Sequence, residues 1–288
     1  MKVKTFREFG SLNSRPIFDA FEKGVIASGD KLVDSYEEAD VVVIWSVLFA
    51  GRMSGNKNVW DQAFHDRKPI IVLEVGSINR DVTWKMGIGG INNDAVWCKP
   101  YEQNRAEKLG IQIQEFSSTG EFITICTQRP DSQQWQDMPS IEDWVLDQIH
   151  YVQKLEMNLP IVVRPHPRDK ITNWSFLNNI KETTNVYFDT PKLVDGTYDS
   201  FNHGEIFDRS RIVINHSSGP AVQAALKGLE VITGEASLAW PVALNNDNQI
   251  TKEEWLDQLS HTEFTVEELS TGIPWEHLKN EMGGTLQK

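Results

Sequence analysis

The chain has 288 residues, of which 40% are apolar and 24% charged, enough material for two ordinary domains with their own cores and no compositional case for disorder. A formal net charge of -13 disfavours avid, nonspecific nucleic-acid binding, which needs a basic face to displace counterions. A local basic groove stays open as a possibility, because Arg164, His166, Arg168 and Lys170 lie within seven residues.

The first third alternates strand and helix patterns. Residues 2–6 read as a short strand, 16–28 as a helix, and 41–46 (VVVIWS) as the continuous apolar run of a buried parallel strand. A helix over 54–67 and a strand over 69–75 (PIIVLEV) follow, an order that predicts right-handed crossovers in a doubly wound sheet. Residues 76–94 are rich in glycine, asparagine and aspartate and read as a loop at the carboxyl end of a strand, where open parallel sheets bind ligands. A first domain over 1–117 is expected to close before SSTGE.

The pattern then restarts. Strands are expected at 122–127, 161–164, 186–189, 211–215 and 229–233, with helices at 140–157, 204–209 and 219–227. Ser140 with Asp143 makes a helix start. The tail from about 252 reads as two helices anchored by Trp255, Leu256 and Trp275, placed in a second domain over 118–288. The expected architecture is α/β, two Rossmann-like domains facing each other across a cleft, with C-terminal helices.

Cys98 and Cys126 have no partner cysteines at metal-ligand spacing, so they read as core residues. No run is apolar enough to cross a bilayer and MKVKTFREFG lacks the features of a signal peptide, which makes cytoplasm the expected location. Most of the ten tryptophans are expected in cores, with stacking on a sugar or base as the other role.

Three segments carry candidate chemistry. In RIVINHSSGPAVQAALKG (211–228), Ser217, Ser218 and Gly219 lie where helix N–H groups point outward, a setting suited to a phosphate; an ordinary serine-capped connection is the alternative. In VVRPHPRD (162–169), prolines stiffen a turn that carries Arg164 and His166, which could neutralise a diphosphate or a sugar acid; the alternative is a rigid surface loop with solvated charges. In LEVGSINRD (73–81), Glu74 could act as base or nucleophile and Arg80 could bind sugar or phosphate, and an ion-pairing or capping carboxylate is the alternative for Glu74.

In chain order, TQRPDS (127–132), RPHPR (164–168) and HSSGPAVQAALKGLEVITGE (216–235) resemble the capsule polysaccharide biosynthesis glycosyltransferases that include bacterial Kdo transferases. LEVGSINRD looks like that family's acidic strand end, with its acidic pair here reduced to Glu74 followed by Val75. The resemblance spans about half the chain and implies a GT-B fold in which the second domain binds a nucleotide-sugar donor. Carried over, Arg164, His166, Ser217, Ser218 and Gly219 bind the donor and Glu74 is the catalytic carboxylate. Gln128, Arg168, His216 and Glu235, in the same matched pieces, complete the donor set, while Gly76, Arg80 and Arg52 are candidate acceptor or sugar contacts. The donor is a co-substrate and no cofactor is implied. The sequence lacks a clear Asp-x-Asp, so no metal is expected.

IWSVLFAGRMSGNKNVW (44–60), EASLAWPVA (235–243) and the stretch from Glu253 to Leu278 look like short proteins of tailed phages that are similar to glycosyltransferases. That resemblance implies double-stranded DNA carrying a hydroxylated pyrimidine as the leading acceptor, in the host cytoplasm. A capsule or surface glycan is the alternative acceptor, and a non-catalytic nucleotide- or glycan-binding protein is the alternative class.

Overall fold

A computed structural model describes residues 1–155, 157–179, 185–195 and 201–285. The chain divides into two compact units, one formed by Met1–Ile111 with Glu253–Lys288 and the other by Gln112–Lys252. In chain order the first segment contributes β1 (Lys2–Thr5), α1 (Arg15–Ala27), β2 (Lys31–Leu32), β3 (Val41–Trp45), α2 (Gly55–His65), β4 (Ile70–Val75) and β5 (Trp84–Ile88). The second unit contains β6 (Phe122–Cys126), α3 (Ile141–Lys154), β7 (Ile161–Arg164), β8 (Val186–Phe188), β9 (Ser210–Asn215), α4 (Gly219–Leu226) and β10 (Glu230–Thr233). The tail adds α5 (Lys252–Ser260), β11 (Glu263–Phe264), α6 (Val266–Thr271) and α7 (Ile273–Thr285).

Among the described residues the first unit's sheet runs β11-β5-β4-β3-β1-β2, with β4, β3, β1 and β2 parallel and β5 and β11 antiparallel to their neighbours. VVVIW forms a strand buried on both faces because its alternating side chains enter two different cores. Val41, Val43 and Trp45 join Phe18, Phe21 and Trp275, whereas Val42 and Ile44 join Val59 and Ala63 of α2. Each such fully buried side chain contributes on the order of 1.5–3 kcal/mol.

Two sequence expectations are corrected in this unit. Residues 76–94 are not all loop, since WKMGI pairs with β4 as a buried strand. Lysine and glycine disguise it, yet Gly87 is needed because a Cβ there would lie 2.6 Å from the Gly90 carbonyl and 2.9 Å from the Trp97 ring. The tail also does not belong with the second unit. Its β11 extends the first sheet, and α6 packs against α1 so closely that a Cβ on Gly24 would lie 2.1 Å from the Leu269 carbonyl. Trp275 and Lys279 donate to Asp30 at 2.7 and 2.8 Å, and the expected division at 117/118 gives way to a chain that leaves the first unit after Ile111 and returns at Glu253.

The second unit's sheet, β10-β9-β6-β7-β8, is parallel throughout. Ile123, Ile125, Val163, Ile212 and Ile214 pack beneath Val145 and Ile149 of α3. Ser140 starts α3 as expected, accepting from the Asp143 amide at 3.0 Å. Cys98 and Cys126 are both buried and unpaired with each other or any cysteine. Among the described residues no helix is long and apolar enough to cross a membrane.

Candidate functional site

Parallel strands deliver their carboxyl ends to one edge of a sheet, and in the second unit those of β6, β7 and β9 bring Gln128, His166 and Ser217 to that edge. Gln128 is 3% exposed, and its Oε1 accepts from both the amide and the hydroxyl of Ser217 at 3.2 Å. That contact fixes the orientation of its side chain, leaving the Nε2 donor buried with no partner among the described residues. Asn215 locks the same turn, donating from Nδ2 to the Cys126 carbonyl at 2.8 Å and to the Ser218 hydroxyl at 2.9 Å, while accepting from the Ser218 amide at 2.8 Å.

Because its hydroxyl is turned to Asn215, Ser218 gives α4 no side-chain cap. Pro220 has no N–H, and among the described residues no side-chain cap takes the first-turn amides of Gly219 and Ala221. An uncapped helix start beside a buried amide donor is an arrangement for an oxyanion built from neutral groups.

The RPHPR segment is arranged differently from the expectation. Arg164 is 5% exposed and its guanidinium is committed to the Asp189 carboxylate and the Asn202 carbonyl, so its charge is already compensated. Sequence spacing could not show this, because Asp189 lies 25 residues later, just past the end of β8. His166 is held by the Thr127 hydroxyl, which accepts its amide at 3.0 Å, and its Nδ1 accepts from the Arg168 amide at 3.1 Å. With Nδ1 an acceptor, the ring proton sits on Nε2 and makes that atom a donor. Burial, helped by Arg129, pushes the imidazole down to about 4, so His166 is neutral at pH 7. His216, also lowered by burial, stands edge-on to Trp135 at 5.2 Å. Arg168 is half-buried and Glu235 exposed, just past β10.

In the first unit Glu74 is half-buried near the end of β4. One carboxylate oxygen accepts from the Val75 amide at 2.8 Å, and no hydrogen bond holds the other among the described residues. Gly76 begins the next turn in a space with no room for a side chain, as a Cβ would lie 2.3 Å from the Thr83 carbonyl and 2.4 Å from Glu263 Oε2. Arg80 is half-buried in that turn. Arg52 is exposed in the short turn Gly51–Ser54 before α2, away from the β4 end in sequence and without a hydrogen-bond partner among the described residues. No group of three or more His, Cys, Asp or Glu side chains among the described residues could hold a metal ion.

No protein-family model matches the chain, and no curated protein matches it by sequence. Among solved structures, the β-Kdo 2,7 transferase of Thermosulfurimonas dismutans KpsC aligns at 12% identity and a TM-score of 0.52, over 97% of this chain and 99% of that one. The chain shares the GT-B-like fold of that transferase. The β-Kdo 2,4 transferase of the same KpsC aligns at 14% identity and a TM-score of 0.49, over 91% of this chain and 90% of that one.

Within this GT-B fold the residues that build the two strand ends include several that sequence reasoning missed. Asn215 was legible in principle, since an asparagine closing an apolar strand before His-Ser-Ser is a turn former. Thr127 stands in the matched TQRPDS piece without having been singled out. Glu263 carried no local signal at all, because its partners Ser77, Ile78 and Thr83 lie about 180 residues earlier, for example in the 2.6 Å bond it accepts from the Ser77 amide.

Proposed function

We propose that the chain transfers a sugar from a nucleotide-sugar donor to a hydroxyl acceptor. The observation that carries this reading is the set of unsatisfied donors in the second unit, where Gln128, with its Nε2 unpartnered among the described residues, is bonded through Oε1 to Ser217 just before the uncapped start of α4. These groups hold the donor's phosphates, and His166 supplies a further neutral donor. Dipoles fixed before the reaction stabilise the charge that develops on the departing nucleotide without reorganising. Glu74 takes the acceptor proton with the oxygen that the Val75 amide leaves open. The reading gives the chemistry to side chains and assigns no step to a metal.

A glycan hydroxyl is the favoured acceptor class. The formal net charge of -13 opposes a polyanionic acceptor, and the neighbour that shares the fold is named for Kdo transfer. The second reading, a hydroxylated pyrimidine in phage DNA, is carried by the resemblance of residues 44–60 and 253–278 to phage proteins. A thermal-shift screen against UDP-, GDP- and CMP-sugars tests the donor assignment, since a ligand of the folded state raises the melting temperature by mass action. One nucleotide class is expected to stabilise the chain, and no response to any of them counts against the proposal. Incubating that donor with capsule oligosaccharides and with hydroxymethylated DNA then separates the acceptors, with the oligosaccharide expected to gain mass.

A further inference from the structure

Lys85 is the one side chain of WKMGI that defies its burial. It is 6% exposed in the middle of β5, and among the described residues its Nζ donates to the Ile91 carbonyl at 3.3 Å. Its register places it directly opposite Glu74 on β4 and directly opposite Glu263 on β11. Residues paired across adjacent strands share a face, with Cβ atoms about 5 Å apart, so Glu74, Lys85 and Glu263 form one row of alternating charge. Glu263 is fully buried and accepts from the Ser77 amide and hydroxyl at 2.6 and 2.9 Å, from the Ile78 amide at 3.2 Å and from the Thr83 hydroxyl at 2.7 Å. It therefore shapes the turn that follows Glu74.

We propose that Lys85 and Glu263 are positioning residues for Glu74: the Lys85 ammonium keeps Glu74 ionised, and Glu263 keeps Lys85 charged while fixing the turn after β4. This rests on the reading of Glu74 as the catalytic carboxylate. Burial pushes the Lys85 amine below its ordinary value, and the charged groups acting against that push are Glu263 and Glu74. Without the ammonium, two carboxylates about 10 Å apart would flank a buried strand with no cation between them, a setting that raises their affinity for a proton. The device also explains why the tail returns to the first unit: β11 delivers Glu263 to a row that the first segment alone leaves incomplete.

The test is side-chain carboxyl NMR on the full chain labelled with 13C at glutamate Cδ, with the Glu74 signal assigned from its loss in Glu74→Gln. In Lys85→Met the Glu74 titration midpoint is expected to rise by about one pH unit relative to the unsubstituted chain, and in Lys85→Arg to stay within a few tenths. A purely structural lysine would leave the midpoint unmoved in Lys85→Met, and that result overturns the proposal. Should Lys85→Met fail to fold, lysine-selective 15N spectra of the unsubstituted chain decide: an ammonium signal for Lys85 at pH 7.5 supports the charge row, and a neutral amine refutes it. Transfer assays separate this from the parent reading. An unmoved midpoint with transfer abolished in Glu74→Gln rejects only the row, whereas a moved midpoint with transfer intact in Glu74→Gln rejects the catalytic role and leaves the row standing.

Discussion

At the end of β4 the polar groups are ionisable and aligned: half-buried Glu74, buried Lys85 and buried Glu263 stand in one cross-strand row, with the turn after Gly76 folded onto Glu263. At the ends of β6, β7 and β9 the donors are mostly neutral, namely an amide of Gln128, first-turn N–H groups and a neutral His166, while the cation Arg164 is matched to Asp189 and keeps only its buried Nε without a partner among the described residues. The difference teaches that formal charge in a motif does not locate anion affinity. On the proposed reading, one strand end serves proton transfer and the other offers dipoles to an oxyanion.

The largest effect that would break this contrast lies in the first unit. Glu263→Ala removes the fully buried carboxylate that lies opposite Lys85 and leaves four donor contacts without an acceptor, and is expected to cost about 3–5 kcal/mol in urea unfolding. Gly76→Ala, which pushes a Cβ into the Thr83 carbonyl and Glu263, is expected to cost about 1–3 kcal/mol by the same measurement.

In the second unit the expected loss is of affinity and not of fold. Gln128→Glu keeps the oxygen that Ser217 needs but replaces the orphan donor with negative charge, so calorimetry with the stabilising nucleotide should show binding weaker by about tenfold or more. An unchanged affinity would remove Gln128 from the donor site.

The smallest effect is on pH. Burial lowers His166, His216 and His261, so folding favours their neutral forms. Their contribution is complete above the ordinary value of 6.5 and is lost as pH falls, for His166 down to about 4. Asp30, held down to about 2 by Lys279, Trp275 and the chain's amino terminus against the opposing pull of burial, loses its contribution only below 3.8. Urea midpoints should therefore drop between pH 6.5 and 4, and His166→Asn should flatten part of that slope.

Much of the fold was legible because buried parallel strands announce themselves: VVVIW, IIVLEV, FITIC and RIVIN all appear within a residue or so of their expected bounds. β5 escaped because a buried lysine and a glycine interrupt its apolar pattern: Lys85 faces glutamates on the two neighbouring strands, and Gly87 makes room for the Gly90 carbonyl and the Trp97 ring. The two-residue β11 is too short for any periodicity, which is why the tail was assigned to the wrong unit. At the candidate site the strand-end positions of Glu74 and Ser217–Gly219 could be read from local pattern, whereas the pairing of Arg164 with Asp189 and the reach of Glu263 are tertiary facts without a local signature.

The central claim is that Glu74 does chemistry while the second unit holds the donor. Glu74→Gln should therefore reduce transfer by about 10²–10⁴-fold in single-turnover assays while the same preparation binds the nucleotide sugar with unchanged affinity. Transfer at the unsubstituted rate would contradict the account.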